Sequence, residues 1–269
     1  MGGAERTAKK RRRQQLAAKT EGAKAVAKAR GGGGDAKRIA VIVGVVVVVL
    51  AVVVGGLIWT NASKNATEGE TIPTESVQAD FPERRDGAVV VLGEEDAPAT
   101  IDVYADFLCP ACATFDQQYG EQIREKVEQG QLTVRQHMLP MLVKQSSPPG
   151  YSLDSANAAL LAADEGKFSE FHDSLFANQP EEGKRAYDKE QLIQLGRDLG
   201  ITSEAFEEGV RNGKYNDLLE QEMKRVTEDT SLHRDFGTGE KGFGTPTVVA
   251  NGELVDLGDP GWLDKAVSR

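Results

Sequence analysis

The sequence predicts an α/β protein: a strand–helix–strand unit, then a long helical insertion, then a return to strand, all preceded by one transmembrane helix. Three observations carry this. Ala99–Ala105 is an alternating, β-branched stretch that runs into a helix-period segment opening at Cys109 and Pro110. Helical period then persists from Leu153 to about Leu232. Near the N-terminus stands an uncharged run of 21 residues, Ile39–Trp59.

Residues 1–38 hold 12 Lys/Arg and 3 Asp/Glu, a local charge of +9 within a chain of net charge -10. The remainder is therefore strongly acidic, a poor match to a phosphate backbone, and no nucleic-acid partner is expected. The Ala/Gly/Lys composition of the tail cannot bury a core, so it is expected to be a disordered cytoplasmic segment. A role in binding nucleic acid or anionic lipid is the competing reading of the tail.

The 39–60 segment follows as the expected membrane span. A helix of that length reaches about 30 Å, the thickness of the hydrocarbon layer. Valine favours strand in water, but in lipid only a helix satisfies its own backbone. A cleaved signal peptide is the alternative, although its apolar region would be shorter. Basic residues lie on the N-terminal side, which places the N-terminus in the cytoplasm and the body outside, anchored to the cell membrane by a single pass. Residues 61–86 are polar, with two prolines, and read as a linker. The patterns at Asn61 and Asn65 that match a glycosylation acceptor are too short to outweigh chance.

The body divides into 87–140, 141–238 and 239–269. "GAVVVLG" reads as a short strand and "ATIDVYA" as a longer one. The helix after it has Pro110 in the first turn, where proline is tolerated, and an apolar stripe of Phe115, Tyr119, Ile123 and Val127. Gly130 ends it, and "QLTVRQHML" is the next strand. Four or five helices are expected in the insertion. "GTPTVVANGELVDLG" returns to strand, with Asn251-Gly252 as a hairpin turn, and "PGWLDKAVSR" closes the chain as a short helix.

Cysteine occurs twice in 269 residues, at Cys109 and Cys112. A bridge over two residues closes a tiny loop and removes little unfolded-state entropy, so the pair reads as chemical rather than structural. Outside the membrane disulfides persist, which makes such a pair a candidate for disulfide chemistry itself. A zinc site would need further ligands, and His137, His172 and His233 are widely spaced. His172, beside Phe171, reads as a helix-surface or partly packed histidine. No metal or cofactor is expected.

The motifs "EEDAPATIDVYADFLCPAC", "EGKFSEFHDSLFANQ" and "GTPTVVANGEL" together allow a family to be named. From about Ala88 to Trp262 the chain resembles the DsbA-like thiol-disulfide oxidoreductases, most closely the membrane-anchored proteins of Gram-positive bacteria. The resemblance implies a thioredoxin fold with an inserted helical domain. It implies that Cys109 is the attacking sulfur, Cys112 the resolving one, and that Thr245-Pro246 lies opposite them with a cis peptide bond. Thr245, with Pro110 and Ala111, would meet the substrate chain.

At a helix N-terminus the unpaired N–H groups and the dipole stabilise a thiolate, which independently favours Cys109 as the nucleophile. Two departures stand out. The acidic residue usual in such proteins six positions before the first cysteine is Val103 here, and Ala111 replaces the histidine of strongly oxidising relatives. Asp102 and Asp106 flank Val103 but are not expected to share its direction.

The function implied is a protein-disulfide oxidoreductase. It would introduce disulfides into unfolded exported proteins and be reoxidised by a membrane quinone-linked partner of the DsbB or VKOR type. The alternatives are a reductase, isomerase or thiol relay of the same fold, and a non-redox interaction module with a structural disulfide. A monomer is the expected state.

Overall fold

The computed structural model describes residues 42, 44–56, 65–76, 80–235, 237 and 239–268. Two units are distinguished, Met1–Asn61 and Ala62–Arg269. In the first, residues 44–56 are helical with exposed valines. Among the described residues no helix is long and apolar enough to cross a membrane. The transmembrane helix expected at 39–60 is therefore not found here: residues 39–41, 43 and 57–60 of that stretch lie outside the described residues, as does the basic tail.

In the second unit, alternating apolar residues build a six-stranded sheet. Its strands are β1 (Glu83–Asp86), β2 (Val89–Leu92), β3 (Ala99–Ala105), β4 (Leu132–Met138), β7 (Thr247–Ala250) and β8 (Glu253–Leu254), in the order β1-β2-β4-β3-β7-β8. β3 runs parallel to β4, from Ala99 opposite Leu132 to Ala105 opposite Met138, and antiparallel to β7. The register sorts β3 by face. Ile101, Val103 and Ala105 enter the main core, while Tyr104 belongs to a smaller core with Leu139, Val226 and Leu232. Asn251 and Gly252 take the positive φ values, 50° and 85°, that a two-residue hairpin needs between β7 and β8.

Helix α1 (Pro110–Glu128) buries Cys112, Ala113, Phe115, Tyr119 and Val127 and ends at Gly130, whose φ is 66°. Five helices form the insertion: α2 (Tyr151–Asp164), α3 (Phe168–Ala177), α4 (Lys189–Asp198), α5 (Glu204–Asn212) and α6 (Asn216–Glu228). α2 is buried at eleven of its 14 positions, so it is the hub of the insertion rather than a one-faced surface helix. Phe168, Phe171 and Phe206 are fully buried around it, each contributing about 2–3 kcal/mol of apolar burial.

A two-stranded ribbon, β5 (Arg234–Asp235) and β6 (Lys241–Gly242), precedes β7. Helix α7 (Trp262–Val267) packs Trp262 on Phe115 and Tyr119 of α1. Residues 65–76, within the stretch read as a linker, lie on the insertion. Ile72 is buried, and the Gln191 amide donates to the carbonyls of Thr67 and Glu70 at 2.6 Å each.

Candidate active site

The loop after β3 delivers Cys109 to the N-cap of α1, with φ -78° and ψ 115°. Pro110 occupies the first helical position, where its missing N–H costs nothing. Pro110 and Ala111 are exposed, Cys109 is 8% exposed and Cys112 is 1% exposed. Both sulfurs are free thiols. Thr245-Pro246 is a cis peptide, as is Ser147-Pro148. The Thr245 carbonyl oxygen lies 3.5 Å from Cys109 Sγ. The structure thus brings Cys109, Cys112, Thr245 and Pro246 into one site from segments about 135 residues apart in sequence.

The two thiols differ sharply in acidity. Cys109 is lowered to about 6, chiefly by a hydrogen bond from the Cys112 thiol and, against the cost of burial, by Thr245 and the N–H groups of Cys112 and Ala111. Cys112 is pushed well above the ordinary thiol range, first by burial, then by its bond to Cys109 and the charge there. At neutral pH the arrangement holds one thiolate, on the outer sulfur, with the inner thiol as its donor.

Val103 is buried in the main core on the sheet face that α1 covers. Asp102 turns to the opposite face, where it meets Arg135 and the buried His137, each at 3.0 Å. Asp106 is fully buried at the start of the loop, directly after β3. Its Oδ1 accepts from the Leu108 N–H at 2.8 Å and the Ser152 hydroxyl at 2.9 Å, and its Oδ2 from the Leu142 N–H at 2.7 Å. Burial raises its carboxyl to about 6 despite these donors, and the Cys109 charge adds to the rise.

Three other residues join the site without having been singled out in the sequence. The Gln179 amide from the insertion donates to the carbonyls of Phe107 and Cys109, 3.0 Å each. Arg234 donates to the Pro246 carbonyl at 2.6 Å, and burial lowers its guanidinium against the opposing pull of Cys112. Met141 is exposed, with its sulfur 3.9 Å from Thr245 Oγ1. Only Asp106 left a local signal, an aspartate two residues before an N–H it can cap.

His172 is not at the surface. It is 5% exposed, wedged among Phe107, Phe168 and Phe176, with Nδ1 2.8 Å from Asp173. Asp116, His172 and Asp173 place one ligand atom each within 4.8 Å of one another. Arg124 pairs with Asp173 and His172 is already bonded to it, so the group reads as a closed ion-pair network tying α1 to α3.

Residues 85–268 match the family model described as Thioredoxin. Serine/threonine-protein kinase PknE of Mycobacterium tuberculosis is 30% identical over 184 residues, which cover 66% of this chain and 31% of the kinase. The chain thus spans about a third of the length of that relative. The probable disulfide bond formation protein D of Bacillus cereus is 27% identical over 166 residues, 61% of this chain and 71% of that protein. Among solved structures, reduced DsbA of Mycobacterium tuberculosis is 25% identical with a TM-score of 0.56, covering 68% of this chain and 91% of that one.

Proposed function

The chain belongs to the thioredoxin family, as a DsbA-like thiol-disulfide oxidoreductase, and from that premise we propose that it introduces disulfide bonds into exported proteins outside the cytoplasmic membrane. One observation carries this reading. Cys109 is an acidic thiol at a helix N-cap, with the far less acidic Cys112 directly behind it. A couple whose dithiol form is stabilised as a thiolate has a disulfide that accepts electrons readily.

The reaction is an exchange in two steps. A client thiolate attacks Sγ of Cys109 in the Cys109–Cys112 disulfide. The new bond joins client to Cys109, and Cys112 leaves with the electron pair and takes up a proton. A second client thiolate then attacks the client sulfur of that mixed disulfide, and Cys109 leaves as the thiolate. Two electrons pass from client to enzyme, and a quinone-linked membrane partner of the DsbB or VKOR type removes them. Cys109 is well placed as the leaving group because its thiolate is the stable form.

Thr245, beside Cys109, offers backbone for an extended client chain, with Pro110 and Ala111 as the exposed floor between the sulfurs. The uncharged 39–59 run after a tail of charge +9 supports a single-pass anchor with the catalytic unit outside.

The test is to supply a reduced, unfolded client in a glutathione buffer and to run insulin reduction in parallel. Faster oxidation of the client than reduction of insulin is expected. Preferential insulin reduction would make the protein a reductase, and a disulfide inert in both assays would make it a structural bridge.

A further inference from the structure

Asp106 is the most deeply buried charged group of the site, and the exchange steps leave it without a task. It sits in the turn that presents Cys109: its own carbonyl accepts from the Cys109 N–H at 3.0 Å, while its carboxylate accepts from Leu108. The same carboxylate reaches two other segments. One is the 139–142 stretch, through the Leu142 N–H, and the neighbouring Met141 lies against Thr245. The other is α2 of the insertion, through Ser152. Three parts of the chain, the Cys109 turn, the Met141 segment and α2, therefore close on one carboxylate. Burial works against its charge, but with three donors the carboxyl, at about 6, is mostly ionised at pH 7, and its charge and that of the Cys109 thiolate oppose one another.

We propose that Asp106 is a positioning residue that fixes the Cys109 turn against the Met141 segment and, through its charge, limits how strongly the Cys109 thiolate is stabilised. The proposal rests on the redox reading of the cysteine pair. It gives the site a brake: the helix N-cap and the Cys112 thiol pull the couple toward the dithiol, and Asp106 pulls it back. An acid at this place is not the proton acceptor missing at Val103. Its carboxylate is taken up by the Leu108 and Leu142 N–H groups and the Ser152 hydroxyl.

The charge role separates cleanly from a structural one. A residue that only holds the fold affects dithiol and disulfide forms alike and leaves their ratio unchanged. Asp106→Asn keeps the shape and removes the charge. Ser152→Ala is a gentler change on α2 that removes one of the three donors and leaves a carboxylate easier to protonate. Each variant is equilibrated with glutathione, and the reduced fraction is read together with the Cys109 thiolate absorbance against pH.

The expected result is that Asp106→Asn shifts the equilibrium toward the dithiol at least about three-fold, equivalent to about 14 mV for a two-electron couple. Ser152→Ala should shift it less, in the same direction, with thiolate titration moving to lower pH in both. If Asp106→Asn does not fold, the Ser152→Ala shift alone decides. An unchanged equilibrium, or a shift toward the disulfide, overturns the proposal. A wild-type protein that shows no reversible dithiol–disulfide couple would instead overturn the redox reading beneath it.

Discussion

Raising the pH from 6 to 8 should stabilise the dithiol form against the disulfide form, because only the dithiol carries the Cys109 thiol. In the folded protein that thiol titrates at about 6, against an ordinary value of 9.0. A depressed pKa contributes stability that is complete above the unfolded value and lost as pH falls through the folded one. The window is therefore pH 9 down to 6. Within it the slope approaches about 1.4 kcal/mol per pH unit; partial titration near pH 6, and solvent screening of the shift itself, leave about 2 kcal/mol between pH 6 and 8. Cys112 does not cancel this, since its thiol is held well above the window. Asp106 is present in both forms, and only the rise that the Cys109 charge adds to its carboxyl, beside the larger one from burial, is peculiar to the dithiol. The assay is urea unfolding of both redox forms at pH 5, 6, 7 and 8. A stability difference that stays flat, or that shrinks as the pH rises, would refute the stabilised thiolate.

Cys112→Ala should trap client proteins as mixed disulfides on non-reducing gels, because Cys112 can no longer attack the mixed disulfide and release the client, while Cys109→Ala should trap few; equal trapping would remove the assignment of Cys109 as the nucleophile. His172 is pulled down by burial but raised overall by its bond to Asp173 and the charge of Asp116. Its contribution is thus complete below about 6.5 and fades as pH rises through the folded value, so His172→Gln should cost about 1–3 kcal/mol at pH 6 and clearly less at pH 9 in denaturant unfolding. For topology, a cysteine introduced within residues 1–30 of a cysteine-free background should resist an impermeant label in intact cells, and Lys64→Cys should react. The reverse pattern would place the catalytic unit inside.

The strand–helix–strand unit was legible because β3 alternates and α1 carries a stripe at steps of four; the cysteine pair stood out by its isolation. The Asn251-Gly252 hairpin was legible because its turn chemistry is local. Other parts were not. β1 reads Glu-Arg-Arg-Asp, a charged edge strand with no apolar period to betray it. α2 is buried nearly all round, so its period shows only part of the packed surface. β5 and β6 are two residues each, too short for any pattern.

In the site, Gln179 reaches a turn 70 residues away and Arg234 a carbonyl 12 residues away. Nothing in the local sequence distinguishes these polar residues from solvated ones. The burial of His172 follows from Phe107, Phe168 and Phe176 converging from two elements. That convergence is a property of the tertiary fold, and it buries a histidine read from the sequence as helix-surface or partly packed.

The most direct measurement is the reduction potential of the Cys109–Cys112 couple in the folded protein, from equilibration with glutathione at pH 7. An oxidising enzyme with a stabilised thiolate should lie well above thioredoxin's value of about -270 mV, in the range where its disulfide takes electrons from client thiols. A potential at or below about -270 mV would show that electrons run the other way, and the protein would be a reductase.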